Sequence, residues 1–214
     1  AHVYRNYFSD VERKRTSTQR NTLDTGTLGH ELILEPEHFY SRYFRVPLAT
    51  EYPSALSTSA EISAVLEEAG LPKSGTKSVL IERCKSELPD VVIFDVLVEE
   101  CIAREAGQVA LEKAKEMVAT KECTSVLSAF HDGKLSEFTD KQPMDGLVWD
   151  DAHRIKDTFT THPRAKQLIN DGFAELTMIA KDPNTGLMLK VKFDYINRLA
   201  IASDVKTTRS ANPQ

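Results

Sequence analysis

Four residues near the C-terminal end of the chain have the spacing of a chemical site. Asp194 ends one alternating segment, and Asp204-Val205-Lys206 lies ten residues on. On a strand, residues two apart share a face, so Asp204 and Lys206 point the same way, and Asp194 on the preceding strand can converge with them. Two carboxylates a few ångströms apart repel each other unless a cation sits between them. Mg²⁺ suits such a pair because it takes hard oxygen ligands and keeps several waters, and Mn²⁺ can substitute. Such an ion polarises a phosphate oxygen and acidifies water. The Lys206 ammonium beside it can orient that water or offset charge developing on phosphorus. An Asp-x-Lys string alone is also an ordinary solvated ion pair worth little.

Two upstream residues extend the set. Gly26-Thr27-Leu28-Gly29-His30 places a histidine on a helix that carries two glycines, which predicts close backbone packing there. His30 can add a neutral imidazole ligand, although a histidine at a helix end is also a common core or surface residue. Glu175, in GFAELTMIAKDPNTG, can supply a further oxygen, or face water from an edge strand. Read as a metal site, Asp194, Asp204 and the Val205 carbonyl would hold the ion, with Glu175 and His30 completing the coordination or a second site. Lys206 positions the attacking water.

The elements that must carry these residues follow from periodicity. Thr25 is a candidate cap for a short helix through Leu28, Leu32 and Ile33 that stops before Pro36, and 37–57 reads as irregular. Ile62, Val65, Leu66 and Ala69 fall on one helical face, closed by Gly70; a second helix runs from about Ser78 to Glu87 and closes at Pro89. Val91–Ala119 is helical, 130–146 is loop, and Trp149–Asn170 is an amphipathic helix with a break near Pro163. The period then changes from 3.6 to 2. Phe173–Lys181 reads as a strand, Asp182-Pro183-Asn184-Thr185-Gly186 as a turn, and Leu187–Tyr195 as the return strand. Leu187, Leu189, Val191 and Phe193 face one way; Met188, Lys190, Lys192 and Asp194 face the other. Ala200–Thr207 is a third strand. Helices followed by an antiparallel meander predict an α/β or α+β domain.

Composition bounds the function. In 214 residues the net charge is −5, so bulk attraction to nucleic acid is excluded and any such binding needs a local basic patch or metal ions. No eighteen-residue apolar run predicts a membrane span, and AHVYRNYFSD is not a signal-peptide pattern. Cys84, Cys101 and Cys123 lack C-x-x-C spacing, which predicts reduced thiols in a cytoplasmic protein rather than disulfides, zinc or an iron–sulfur cluster. No Walker loop or G-x-G-x-x-G is present, so no nucleotide cofactor is implied. The group Arg13, Lys14, Arg15 and Arg20 can line a DNA channel or form a solvated helix face.

Taken together, TLDTGTLGHELILEPEHFYSRYF and GFAELTMIAKDPNTGLMLKVKFDYINRLAIASDVKTTRSANP resemble the RecE-type exonucleases, the exodeoxyribonuclease VIII family of the PD-(D/E)XK nuclease superfamily. The motif reads F-D…D-V-K here, with Phe193 where proline is usual. The resemblance covers about 1–50 and 147–214. It implies a PD-(D/E)XK core of α/β class, a magnesium site at His30, Glu175, Asp194, Asp204 and Lys206, and 5′→3′ digestion of linear double-stranded DNA in phage-type recombination. It also implies a homo-oligomer, a single-strand annealing protein as partner, and a bacterial or phage source. It further implies sequence before Ala1 and a helix beyond Gln214. Residues 59–88 resemble a SAP motif, in which Lys73, Lys77 and the start of the second helix hold phosphate oxygens. On this reading 51–146 is a helical insertion in the nuclease core. Two other readings of the chain are a non-catalytic DNA-binding or assembly protein on a nuclease fold, and a structure-specific endonuclease.

Overall fold

The structure, a computed structural model, describes the backbone of residues 17–206 and the side chains of 25–131 and 133–206. Arg13 and Lys14 lie outside the described residues. In chain order the elements are α1 (Ser17–Leu34), α2 (Pro36–Arg42), β1 (Tyr43–Arg45), α3 (Ser59–Glu68), α4 (Lys77–Glu87), α5 (Phe94–Ala106), α6 (Gln108–Ala119), β2 (Gln142–Met144), α7 (Gly146–Thr161) and α8 (Pro163–Leu168). The remaining strands are β3 (Gly172–Ala174), β4 (Thr177–Lys181), β5 (Met188–Lys192), β6 (Tyr195–Asn197) and β7 (Ala202–Ser203). The chain is mixed α/β with small sheets. Among the described residues no helix is long and apolar enough to cross a membrane.

The chain divides into two compact units, 1–34 with 151–214 and 35–150. The division therefore falls after Leu34 and inside α7, not at residues 50 and 147. Residues 35–50 pack in the second unit because their apolar side chains have partners there. Phe39 is fully buried with its ring 5.2 Å from that of Trp149. Phe44 and Val46 enter a core with Val98, Ile102, Leu111 and Phe130. Tyr43–Arg45 is a strand rather than irregular chain, paired in parallel with Gln142–Met144. The first helix ends at Leu34, before Pro36, as expected, and Pro36 then starts α2, where its missing N–H costs nothing.

The helix–loop–helix expected over 59–88 is present. Thr58 caps α3 through a reciprocal box with Glu61, accepting from the Glu61 N–H at 3.2 Å. Ile62, Leu66, Leu80, Cys84 and Ile93 form its small core. Val91–Ala119 is two helices, divided at Gly107.

In the first unit, α1 is longer than expected: it runs without a break from Ser17, so Thr25 is interior rather than a cap. Gly29 abuts Ile155, where an added Cβ would lie 3.0 Å from Ile155 Cγ2, which is the close packing the glycine predicted. Ile33, Leu34 and Tyr195 are buried against Ile155, Phe159, Ile169, Ala174 and Val205. The helical region Trp149–Asn170 breaks before Pro163, as its sequence predicts.

The meander is antiparallel throughout. Ala174 faces Tyr195 and Thr177 faces Lys192, so one register runs through both β3–β6 and β4–β5. Asp182-Pro183-Asn184-Thr185-Gly186 makes the turn, with Gly186 at φ +72°, a backbone conformation that glycine adopts without steric cost. The expected continuous strands are each interrupted, at 175–176 and at 193–194. Glu175 lies at this break, with a left-handed backbone at φ +53°. The third strand is shorter than expected, only Ala202–Ser203 being paired with β6.

Candidate metal centre

The interruption in the ribbon is where the acidic residues meet. The shared register sets Glu175 opposite Asp194, and the Glu175 N–H donates to the Asp194 carbonyl at 2.9 Å. On the other side of the same strand, Tyr195 faces Ser203 and Ile196 faces Ala202. Extending that register by one step brings Asp204 opposite Asp194. Asp194 is thus the central residue of three neighbouring segments, and each flanking segment presents a carboxylate to it.

His30 arrives from the last turns of α1. Its Nε2 lies 3.1 Å from Asp194 Oδ2. One ligand atom each from His30, Glu175 and Asp194 lies within 4.8 Å of the others, and all three residues are half-buried. That spacing lets one cation touch all three. Two oxygens and one imidazole nitrogen fit a divalent ion such as Mn²⁺ or Mg²⁺, the carboxylates meeting the hard-ligand preference of both.

Three contacts border the cluster. The Val205 N–H donates to Asp194 Oδ2 at 2.8 Å, fixing the carboxylate plane. Burial pushes the Asp194 carboxyl up, but the Val205 N–H, then His30 and Asp204, outweigh it, and the group sits below the ordinary aspartate value. It is ionised at neutral pH. Lys206 Nζ donates to Asp204 Oδ1 at 2.8 Å, and both side chains are largely exposed at the rim. The Asp204 hydrogen bond, helped by the charges of Asp204 and Asp194, raises the Lys206 ammonium above its ordinary value. Lys206 is therefore a cation there, not a base. The third contact joins Lys192 Nζ to Glu175 Oε2.

The five residues expected to act together thus fall in one neighbourhood, with a division of labour. His30, Glu175 and Asp194 form the enclosed cluster; Asp204 and Lys206 form an ion pair beside it. Val205 contributes its N–H to Asp194. Sequence reasoning missed Lys192. Its signal was available: two residues before Asp194 on an alternating strand, it occupies the same face.

The lysines expected to hold DNA in the helix–loop–helix are engaged within the protein. Lys77 Nζ pairs with Asp95 at 2.6 Å and donates to the Ser57 carbonyl at 2.8 Å. Lys73 pairs with Glu67 at 2.6 Å. Arg83 donates to the Pro72 and Ser74 carbonyls, holding the loop. These cations serve to stitch the loop to its helices. The three cysteines are free thiols, with burial pushing Cys84 and Cys101 up and away from reactivity.

A second polar centre lies in the other unit. Arg45 donates to Asp150 Oδ1 at 2.9 Å and Oδ2 at 2.8 Å, and also grips Glu51. It tethers β1 to the start of α7 and to the 3₁₀ turn Ala49–Glu51.

No protein-family model, curated protein or solved structure matches this chain.

Proposed function

We propose that the protein is a metal-dependent nuclease that hydrolyses phosphodiester bonds of linear double-stranded DNA, built on a PD-(D/E)XK-type core. The observation that carries the reading is the approach of His30, Glu175 and Asp194 to within 4.8 Å, beside an Asp204–Lys206 pair. The resemblance of the two segments that contain these residues to RecE-type exonucleases supports it.

A divalent cation supplies positive charge against the phosphate oxygens and lowers the pKa of water. Asp194 and Glu175 hold it by their carboxylates and His30 by its imidazole. The Val205 N–H keeps Asp194 oriented, so little reorganisation is required on binding. Lys206 donates to the oxygen of the attacking water or to a phosphate oxygen as negative charge develops. Asp204 anchors that ammonium at 2.8 Å. The same reading makes further copies of this chain and a single-strand annealing protein its partners, with 5′→3′ polarity following from the resemblance.

The test is digestion of linear and covalently closed duplex DNA, with Mg²⁺ and with chelator. Linear duplex is consumed only with Mg²⁺, and closed circles persist. Lys206→Ala and Asp204→Ala each lower the rate by about 10²–10³. Cutting of closed circles turns the reading into an endonuclease. Retention of DNA without any loss of it overturns nuclease activity in favour of a binding protein.

A further inference from the structure

The β4–β5 hairpin projects from the metal centre with both strands exposed along their whole length. Its two faces differ. Met178, Ala180, Leu189 and Val191 share one face, through the pairs Met178–Val191 and Ala180–Leu189. The other carries Lys181, Lys190 and Lys192, through Lys181–Met188, Ile179–Lys190 and Thr177–Lys192. The reach of Lys192 to Glu175 identifies the lysine face as the one that adjoins the metal centre.

The charge there runs against that of the chain. The net charge is −5, yet TMIAK and MLKVK together hold three lysines and no acid. Asp182, in the turn between them, is occupied with turn geometry, accepting from Thr185 Oγ1 and from the Asn184 N–H at 3.2 Å. Neither Lys181 nor Lys190 makes an ion pair among the described residues. At roughly 3.3 Å per residue, Lys190 stands about 13 Å along the strand from Asp194, the rise of about four base pairs of duplex.

We infer that the lysine face of this hairpin is a phosphate-contacting rail for double-stranded DNA, in which Lys190 and Lys181 each neutralise one backbone phosphate beyond the bond held at the metal centre. The choice of DNA as the polyanion rests on the nuclease reading. The contact is to backbone and carries no base sequence. An apolar back on the same hairpin leaves one face only for the polyanion.

The experiment is titration of a fluorescent 30-base-pair duplex by anisotropy, in chelator, from 50 to 200 mM NaCl. It compares the parent protein, Lys181→Gln/Lys190→Gln and Lys181→Arg/Lys190→Arg. Two lost phosphate contacts lower the slope of log K against log salt by about 1.8, so the parent loses about twelvefold more affinity than the Gln variant over that range. The Arg variant keeps the parent slope. Single-turnover digestion at saturating DNA with Mg²⁺ stays within about twofold of the parent in both variants, since neither lysine belongs to the metal centre. An unchanged slope in the Gln variant overturns the rail, whatever the digestion result. A lowered slope with no Mg²⁺-dependent digestion by the parent sustains the rail and overturns the nuclease reading. Equal loss of binding to phosphatidylserine vesicles, with duplex binding unaffected, overturns the rail in favour of a lipid surface.

Discussion

Replacing Asp194 by Asn removes one charge from the centre of the cluster and almost no volume. The amide oxygen can still accept the Val205 N–H, which lies 2.8 Å from Oδ2 in the parent. A charge-assisted bond becomes a neutral one, a loss of about 1 kcal/mol. The His30 contact at 3.1 Å joins side chains 27% and 22% exposed, so solvent screening limits it to less than about 1 kcal/mol. The metal-free variant is thus about 1–2 kcal/mol less stable, or ~2–8 °C lower in Tm for a chain of this size. Metal separates this small effect from the large one. At a hundred times its Kd, an ion that binds only the folded protein adds about 2.7 kcal/mol, or ~5–11 °C, to the parent. The assay is a thermal melt at pH 7.5 with and without saturating Mn²⁺, with chelator reversal. Asp194→Asn gains nothing from the ion. If the variant gains as much as the parent, or the parent gains nothing at any Mn²⁺ concentration, Asp194 is not a ligand and the centre is an ordinary hydrogen-bonded cluster.

Lys192→Met removes the amine that competes for Glu175; with Lys192 58% exposed, the pair is worth at most about 1 kcal/mol, so Mn²⁺ binds up to about fivefold more tightly by calorimetric titration. Gly172→Ala places a Cβ against the Ile196 carbonyl and 2.6 Å from Asn197 Cα, both backbone atoms of the paired strand; denaturant unfolding shows a loss of about 3 kcal/mol. The Arg45 hydrogen bond, then the Leu48 N–H, lowers Glu51 from 4.5 to about 2. A carboxyl depressed in the folded state stabilises above its unfolded pKa and stops doing so as pH falls through the folded one. Melts between pH 6 and pH 2 therefore show a steeper acid loss in the parent than in Glu51→Gln, with the difference arising below about pH 4.5.

Much of the candidate site is legible before any coordinates. Asp182-Pro-Asn-Thr-Gly fixes the turn, and alternation then sets Lys192 and Asp194 on one face. Once the turn is centred there, counting back from Asp182 and forward from Leu187 reaches Glu175 and Asp194 at the same step. The left-handed backbone at Glu175 was not legible, because glutamate has no preference for it; the surrounding chain imposes it. In the lysines of 59–88 the sequence shows the cations but not the partners that pair with them. Their string reads as a phosphate-binding loop, but Asp95, from a helix outside the motif, takes Lys77.

Capping, turn chemistry and the strand period act over a few residues, so the helices of 59–88, the hairpin and its register, and the side chains that share a face follow from the order of amino acids. Packing between distant segments brings His30 to Asp194, joins residues 35–50 to the second unit through Phe39 and Phe44, and seats Lys192 on Glu175. Those outcomes depend on which buried surfaces find each other across long stretches of chain. Periodicity marks a residue as inward, but the shape of the packed core chooses its partner.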